Sequence, residues 1–124
     1  MGIIFSSALH SSEIQLPTFS SFQVVGCKFS LPGNKYINFF SLYRPPNYPS
    51  RFLDEIQDFL AEVVVLTGEI IITGDFNIHL DQPELAASSN FLDTLTSFSL
   101  IQHVNFFTHI KEHWLDLIIT HGKV

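Results

Sequence analysis

Apolar residues recur along this chain at two different spacings, and the change from one to the other divides it into elements. Phe22 to Leu31 and Tyr36 to Tyr43 are dense in Phe, Ile and Val, residues that suit a pleated, half-buried surface. Between them lies Pro32-Gly33-Asn34-Lys35, turn chemistry that predicts a hairpin. Gly2 to Ser7 has the same apolar character, so three strands are expected in the first third. The third strand must end at Tyr43-Arg44-Pro45-Pro46, where consecutive prolines remove ladder donors. From Ser50 to about Val65, Phe52, Leu53, Ile56, Phe59, Leu60, Val63 and Val64 follow the three-and-four spacing of an amphipathic helix. Ser50 is its expected N-cap and Gly68 its expected stop. Glu69 to Thr73 predicts a short strand covered on both faces, since Ile70, Ile71 and Ile72 leave no polar side. A second helix is predicted near Ser88 to Ser99, with Phe91, Leu92, Leu95 and Phe98 on one face, and a last strand over about Trp114 to Thr120. Strands in a hairpin followed by helix, strand, helix and strand predict a mixed sheet with helices packed on it, an α/β layered architecture.

Composition narrows the class. A chain of 124 residues that is 46 % hydrophobic is expected to fold as one small domain around one core, and it contains no repeats or low-complexity tracts. Thirteen Phe residues are many for that length, which implies that much of the chain belongs inside something larger. The Phe residues sit at core spacing, so they read as core and not as a base-stacking platform. A formal charge of -6, with six scattered Lys and Arg, gives no diffuse attraction to polyanions; any nucleic-acid contact must be local or metal-mediated. Cys27 is the single cysteine, so no disulfide partner exists within the chain, and it reads as a small buried hydrophobe. No apolar run reaches the length of a membrane span, and the start lacks the basic region of a secretory signal. A nuclear or cytoplasmic location, not secretion, is the expectation.

The candidate chemistry begins at Ile71-Ile72-Thr73-Gly74-Asp75-Phe76-Asn77, where an apolar run stops at a carboxylate and an amide. If the strand continues, alternation projects Asp75 and Asn77 to one side while Phe76 anchors in the core on the other. A carboxylate beside a neutral amide suits phosphoryl chemistry: the first orients a water or ligates a hard cation, the second donates to a phosphate oxygen. Gly, Asp and Asn are equally ordinary turn residues, so the motif alone is also read as a turn.

The wider series is more specific. Tyr43-Arg44-Pro45-Pro46, Gly74-Asp75-Phe76-Asn77-Ile78-His79, Phe91-Leu92-Asp93, Gln102-His103-Val104, Thr108-His109 and Leu115-Asp116-Leu117-Ile118 follow in an order that resembles the endonuclease/exonuclease/phosphatase superfamily. The resemblance is greatest to the endonuclease domains of non-LTR (LINE-type) retrotransposons and spans essentially the whole chain. It implies a four-layer α/β sandwich of the deoxyribonuclease I-like type, here in part, that cleaves DNA phosphodiesters with magnesium. By motif match Asp75 would position or activate the attacking water and Asn77 would bind the scissile phosphate. Tyr43 would donate to the phosphate, Asp116 would orient the catalytic histidine, and Thr108 would lie near the DNA-contacting loop.

The departures from that pattern matter as much. The family's active-site asparagine and its metal-ligating glutamate lie on strands upstream of anything matched here, and Glu13, in a loop-like His10-Ser11-Ser12-Glu13-Ile14, does not match the glutamate. The family's closing Ser-Asp-His motif is also unmatched, and His121 is not its histidine because no aspartate precedes it. The resemblance therefore implies a single incomplete domain over residues 1–124 that lacks its main magnesium ligand and is weak or inactive alone. Asp116 without its histidine is expected to have a raised pKa or to be solvated, and missing strands are expected to leave sheet edges open to self-association. The alternative is a non-catalytic remnant that acts at most as a binding module. His109 and His113 read as loop histidines, His79 and His103 carry no assigned chemistry, and Asp81 and Glu84 read as a solvated loop. Asp54, Glu55, Asp58 and Glu62 read as the polar face of the first helix.

Overall fold

The two longest strands form from segments rich in Phe, Ile and Val, and the remaining strands add to them on either side. The computed structural model describes residues 3, 10–45, 51–78, 85–104 and 116–121, the side chain of Asp116 excepted. In chain order the elements are β1 (His10–Ile14), β2 (Gln23–Leu31), β3 (Lys35–Tyr43), α1 (Phe52–Val63), β4 (Glu69–Asp75), α2 (Ala86–Ser97), β5 (Leu100–Gln102) and β6 (Asp116–His121). The strands form one six-stranded sheet in the order β1-β2-β3-β4-β6-β5. Every neighbouring pair is antiparallel except β3 and β4, which run parallel. A parallel pair needs a crossover, and α1 supplies it.

The β2–β3 hairpin closes through residues 32–34, with Leu31 paired to Lys35 as the turn residues predict. β1 corrects the sequence reading, which made His10 to Ile14 a loop: these residues pair along β2 from His10 opposite Ser30 to Ile14 opposite Gly26. The strand is polar because all but its last residue are exposed at the sheet edge, so no apolar alternation marks it. The strand expected over Gly2 to Ser7, and Ser50 as a helix cap, lie outside the described residues.

Helix α1 starts after Arg51, which makes no side-chain cap bond, and it ends at Val63. Gly68 does not stop it. At φ 110° it lies beside β3, where a Cβ would come within 2.4 Å of the Tyr36 carbonyl oxygen, so its task is the close entry of β4. β4 runs two residues beyond the predicted Thr73, and β5, only three residues long, carries too short a pattern to be read from sequence.

Alternation along the strands puts Phe40, Leu42, Ile70, Ile72, Leu117 and Ile119 in one buried cluster with Ile56, Phe59 and Leu60 of α1 and Phe91 and Leu95 of α2. Edge-to-face contact of Phe40 with Phe59, at 5.4 Å between ring centroids, seats α1 on the sheet. The expectation that β4 is covered on both faces holds only in part. Ile70 and Ile72 are buried under the helices, whereas Ile71, on the opposite face, is half-buried, and no second sheet occurs among the described residues. Cys27 on that opposite face is a buried free thiol, as its apolar setting predicts. Among the described residues no helix is long and apolar enough to cross a membrane.

The segment before β2 is fastened to α1 by one carboxylate. Glu55 accepts from the backbone N–H groups of Ser20 (3.0 Å) and Ser21 (2.7 Å) and from both serine hydroxyls. Burial alone would raise its pKa, but these donors outweigh it and hold the carboxyl at about 2. A carboxyl depressed in the folded state adds stability above its unfolded pKa, and that stability is lost as pH falls toward about 2. Glu55→Gln is therefore expected to cost about 1 kcal/mol at pH 7 after discounting for solvent screening, and progressively less below pH ~4. Urea midpoints of both proteins across that pH range check this, and a difference that does not shrink on acidification would contradict it.

Candidate active site

Three strands bring their candidate residues into one row. Tyr43 of β3 pairs with Asp75 of β4, and Asp75 pairs in turn with Asp116 of β6. Neighbouring strands lie ~4.8 Å apart, so the Cα atoms of positions 43 and 116 are separated by only about 10 Å. The ladder continues one bond further, where the Arg44 N–H donates to the Asp75 carbonyl at 2.8 Å. Leu42 and Phe76, the neighbours of this row, are buried on the helix side, so alternation turns Tyr43 and Asp75 to the opposite face. Tyr43 is 37 % exposed there and Asp75 is half-buried.

At the end of β4 the backbone departs from strand geometry. Gly74 has φ 149°, and Phe76 is inserted in the core with its ring centroid 5.6 Å from that of Phe91. Asn77 then takes φ 49°, a left-handed conformation that asparagine tolerates better than most residues. Its backbone N–H donates to Asp75 Oδ1 at 3.1 Å, and its Nδ2 donates to the Arg44 carbonyl. Phe76 anchors as expected, but Asn77 is not presented by continued strand alternation: the strand stops at Asp75 and a turn places the amide. The carboxamide carries two Nδ2 protons, and Arg44 engages one of them.

A family model described as endonuclease-reverse transcriptase matches residues 37–124. The chain belongs to this family. A comparison with curated proteins finds no match. The matched part of this endonuclease-reverse transcriptase domain includes Tyr43, Asp75, Asn77, Thr108 and Asp116, and the mixed α/β arrangement of six strands and two helices among the described residues is consistent with a partial endonuclease/exonuclease/phosphatase architecture.

Of those five positions, the structure brings Tyr43, Asp75, Asn77 and the backbone of Asp116 together at one sheet end. Thr108 lies outside the described residues, as do His79, Asp81, Glu84, His109 and His113, and so does the Asp116 side chain to which a raised pKa was ascribed. Glu13 is carried away from the row: it is exposed on edge strand β1 and pairs with Cys27, in register with Phe39 and Ile71, four residues before Asp75. His103 is exposed, with Nε2 2.6 Å from Thr120 Oγ1, and takes no part in the row. Among the described residues no three His, Cys, Asp or Glu side chains gather as a metal site.

Sequence reasoning gave Arg44 no role, yet it touches both Asp75 and Asn77 through its backbone. Its guanidinium carbon lies 4.2 Å from the centroid of the Phe52 ring, and it lines a cavity of about 290 Å³ with Phe52, Leu53, Ile78, Ala87 and Asn90. Burial lowers its pKa from the ordinary arginine value, and its Nε is buried without an acceptor. No local spacing signals these contacts, because Phe52 and Asn77 are distant in sequence from Arg44.

Proposed function

We propose that this domain carries part of the phosphodiester-cleaving site of a DNA endonuclease of non-LTR retrotransposon type, and that residues 1–124 alone act weakly. The observation that supports it most is the row Tyr43, Asp75, Asp116, in register across three strands, with the Asn77 carboxamide tethered at its end. In this reading the Asp75 carboxylate orients a water for in-line attack on phosphorus, and the second Nδ2 proton of Asn77 donates to a phosphate oxygen. The Tyr43 hydroxyl, on the exposed face of the row, donates to the same phosphate.

Magnesium fits this donor set by type, since it takes oxygen ligands and is commonly bound through one or two carboxylates with its remaining positions filled by water. Asp75 is the residue that would hold it, and when bound it would neutralise charge developing on the phosphate. Neither a counterpart of the family glutamate nor a counterpart of the catalytic histidine is matched within these residues. Catalytic groups that act as a unit lose most of their effect when one is removed, which is why feeble activity is expected.

Relaxation of supercoiled plasmid by the purified chain tests the reading. Slow nicking that requires magnesium and stops with EDTA is the expected result, together with a magnesium-dependent rise in Tm. Nicking as fast as that of a complete domain would overturn the expectation of weak activity. No nicking and no magnesium-dependent Tm shift would favour the non-catalytic reading.

A further inference from the structure

We propose that Arg44 is a positioning residue for this site: its backbone holds Asp75 and Asn77, and its guanidinium, stacked on Phe52, fixes that backbone against α1. The inference rests on the reading of Asp75 and Asn77 given above, but its test does not depend on catalysis. Both backbone groups of one residue serve the site, the N–H donating to the Asp75 carbonyl at 2.8 Å and the carbonyl accepting from Asn77 Nδ2. A peptide can hold a side chain in place only as well as the peptide itself is held. β3 ends at Tyr43, and Arg44 is followed by Pro45 and Pro46, which have no N–H to extend the ladder.

The side chain supplies the missing anchor. The guanidinium carbon stands 4.2 Å from the centroid of the Phe52 ring, and Phe52 is itself buried at the start of α1, 6.1 Å from the Phe91 ring. Arginine is planar and always charged, so stacking on a ring fixes its orientation as well as its place. Its Nε is buried without an acceptor, and burial depresses its pKa. Such an arrangement costs stability, and departures of this kind concentrate where a fold serves a site. Phe91 also meets Phe76 at 5.6 Å, so the side chain of Arg44 and the residue after Asp75 rest on the same aromatic cluster on the helix side of the sheet.

The test follows the Asn77 carboxamide by NMR in the 15N-labelled chain. Arg44→Ala is expected to accelerate its hydrogen exchange about tenfold, the effect of losing one hydrogen bond, and to shift its resonances while the far-UV circular dichroism is unchanged. Arg44→Met keeps the stem over Phe52 without the planar cation and is expected to behave the same way; it decides the matter if the alanine variant does not fold. Arg44→Lys, which keeps a cation over the ring, is expected to recover part of the protection. If magnesium-dependent nicking is measured as well, Arg44→Ala is expected to lower kcat about tenfold with KM within about threefold, and to add little to Asn77→Ala, as for residues acting as a unit. Unchanged Asn77 exchange in the folded variants overturns the proposal whether or not the chain nicks DNA. Asn77 exchange that depends on Arg44 in a chain that never nicks supports the positioning role and counts against the catalytic reading alone.

Discussion

Gly74→Ala is expected to destabilise the fold by about 4 kcal/mol or more, moving the urea midpoint down by about 2 M, because the position meets two separate steric limits. At φ 149° it occupies backbone space that residues with a Cβ rarely enter. Independently, a Cβ there would stand 1.8 Å from the Leu42 carbonyl oxygen, 2.7 Å from the Leu42 carbonyl carbon and 2.9 Å from the Leu42 nitrogen. A crowded flexible side chain could swing aside, but these atoms are backbone. Leu42 is the register partner of Gly74 in the parallel β3–β4 pair, so relief requires the strands to separate at the end that carries the row. Loss of stability and loss of site geometry should therefore arrive together. Thr73→Ala, one residue earlier on the same strand, is the control and is expected to cost no more than about 1 kcal/mol. Urea unfolding of the two variants checks the contrast, and a Gly74→Ala midpoint within about 0.5 M of the parent would show that the strand end tolerates a side chain.

That dependence on a neighbouring strand also separates what local sequence reveals from what it does not. β2, β3, α1, β4 and α2 were legible because each buries one apolar face, and the period of Phe, Ile, Val and Leu records which kind of element does so. β1 was not legible, since an exposed edge strand has nothing to bury and is paired only because β2 offers free backbone groups. The row itself could not be read from periodicity. Tyr43 and Asp116 are far apart in sequence, and their common level follows from the crossover through α1 and from β6 inserting between β4 and β5. The family resemblance supplied the residues, and the register supplied their juxtaposition. The two readings of Gly74 to Asn77 turn out to describe adjacent halves: strand through Asp75 and turn at Asn77. Arg44 stayed hidden for the same reason as the row, because its importance lies in contacts with Phe52 and Asn77.

Replacing the Asp75 carboxylate is expected to remove magnesium-dependent nicking by about a thousandfold or to below detection, within the range typical for loss of an acid-base or metal-binding group. Two substitutions separate charge from architecture. Asp75→Asn keeps an oxygen where Oδ1 accepts the Asn77 N–H, so the turn at Asn77 is expected to persist while the negative charge is gone. Asp75→Ala removes both and is expected to be the less stable of the two by about 1 kcal/mol, the net worth of one hydrogen bond. If the site works through the charge, both variants lose nicking equally and both lose the magnesium-dependent rise in Tm, although only the alanine variant loosens the turn. Plasmid relaxation under enzyme excess, with thermal unfolding at varied magnesium, measures the pair. Full nicking by Asp75→Asn would mean that a hydrogen-bond acceptor suffices at this position, and the assignment of the carboxylate as the group that orients water or holds the cation would fail. Loss in Asp75→Ala alone would point instead to the turn, making Asn77 and its tether to Arg44 the part of the row on which cleavage depends.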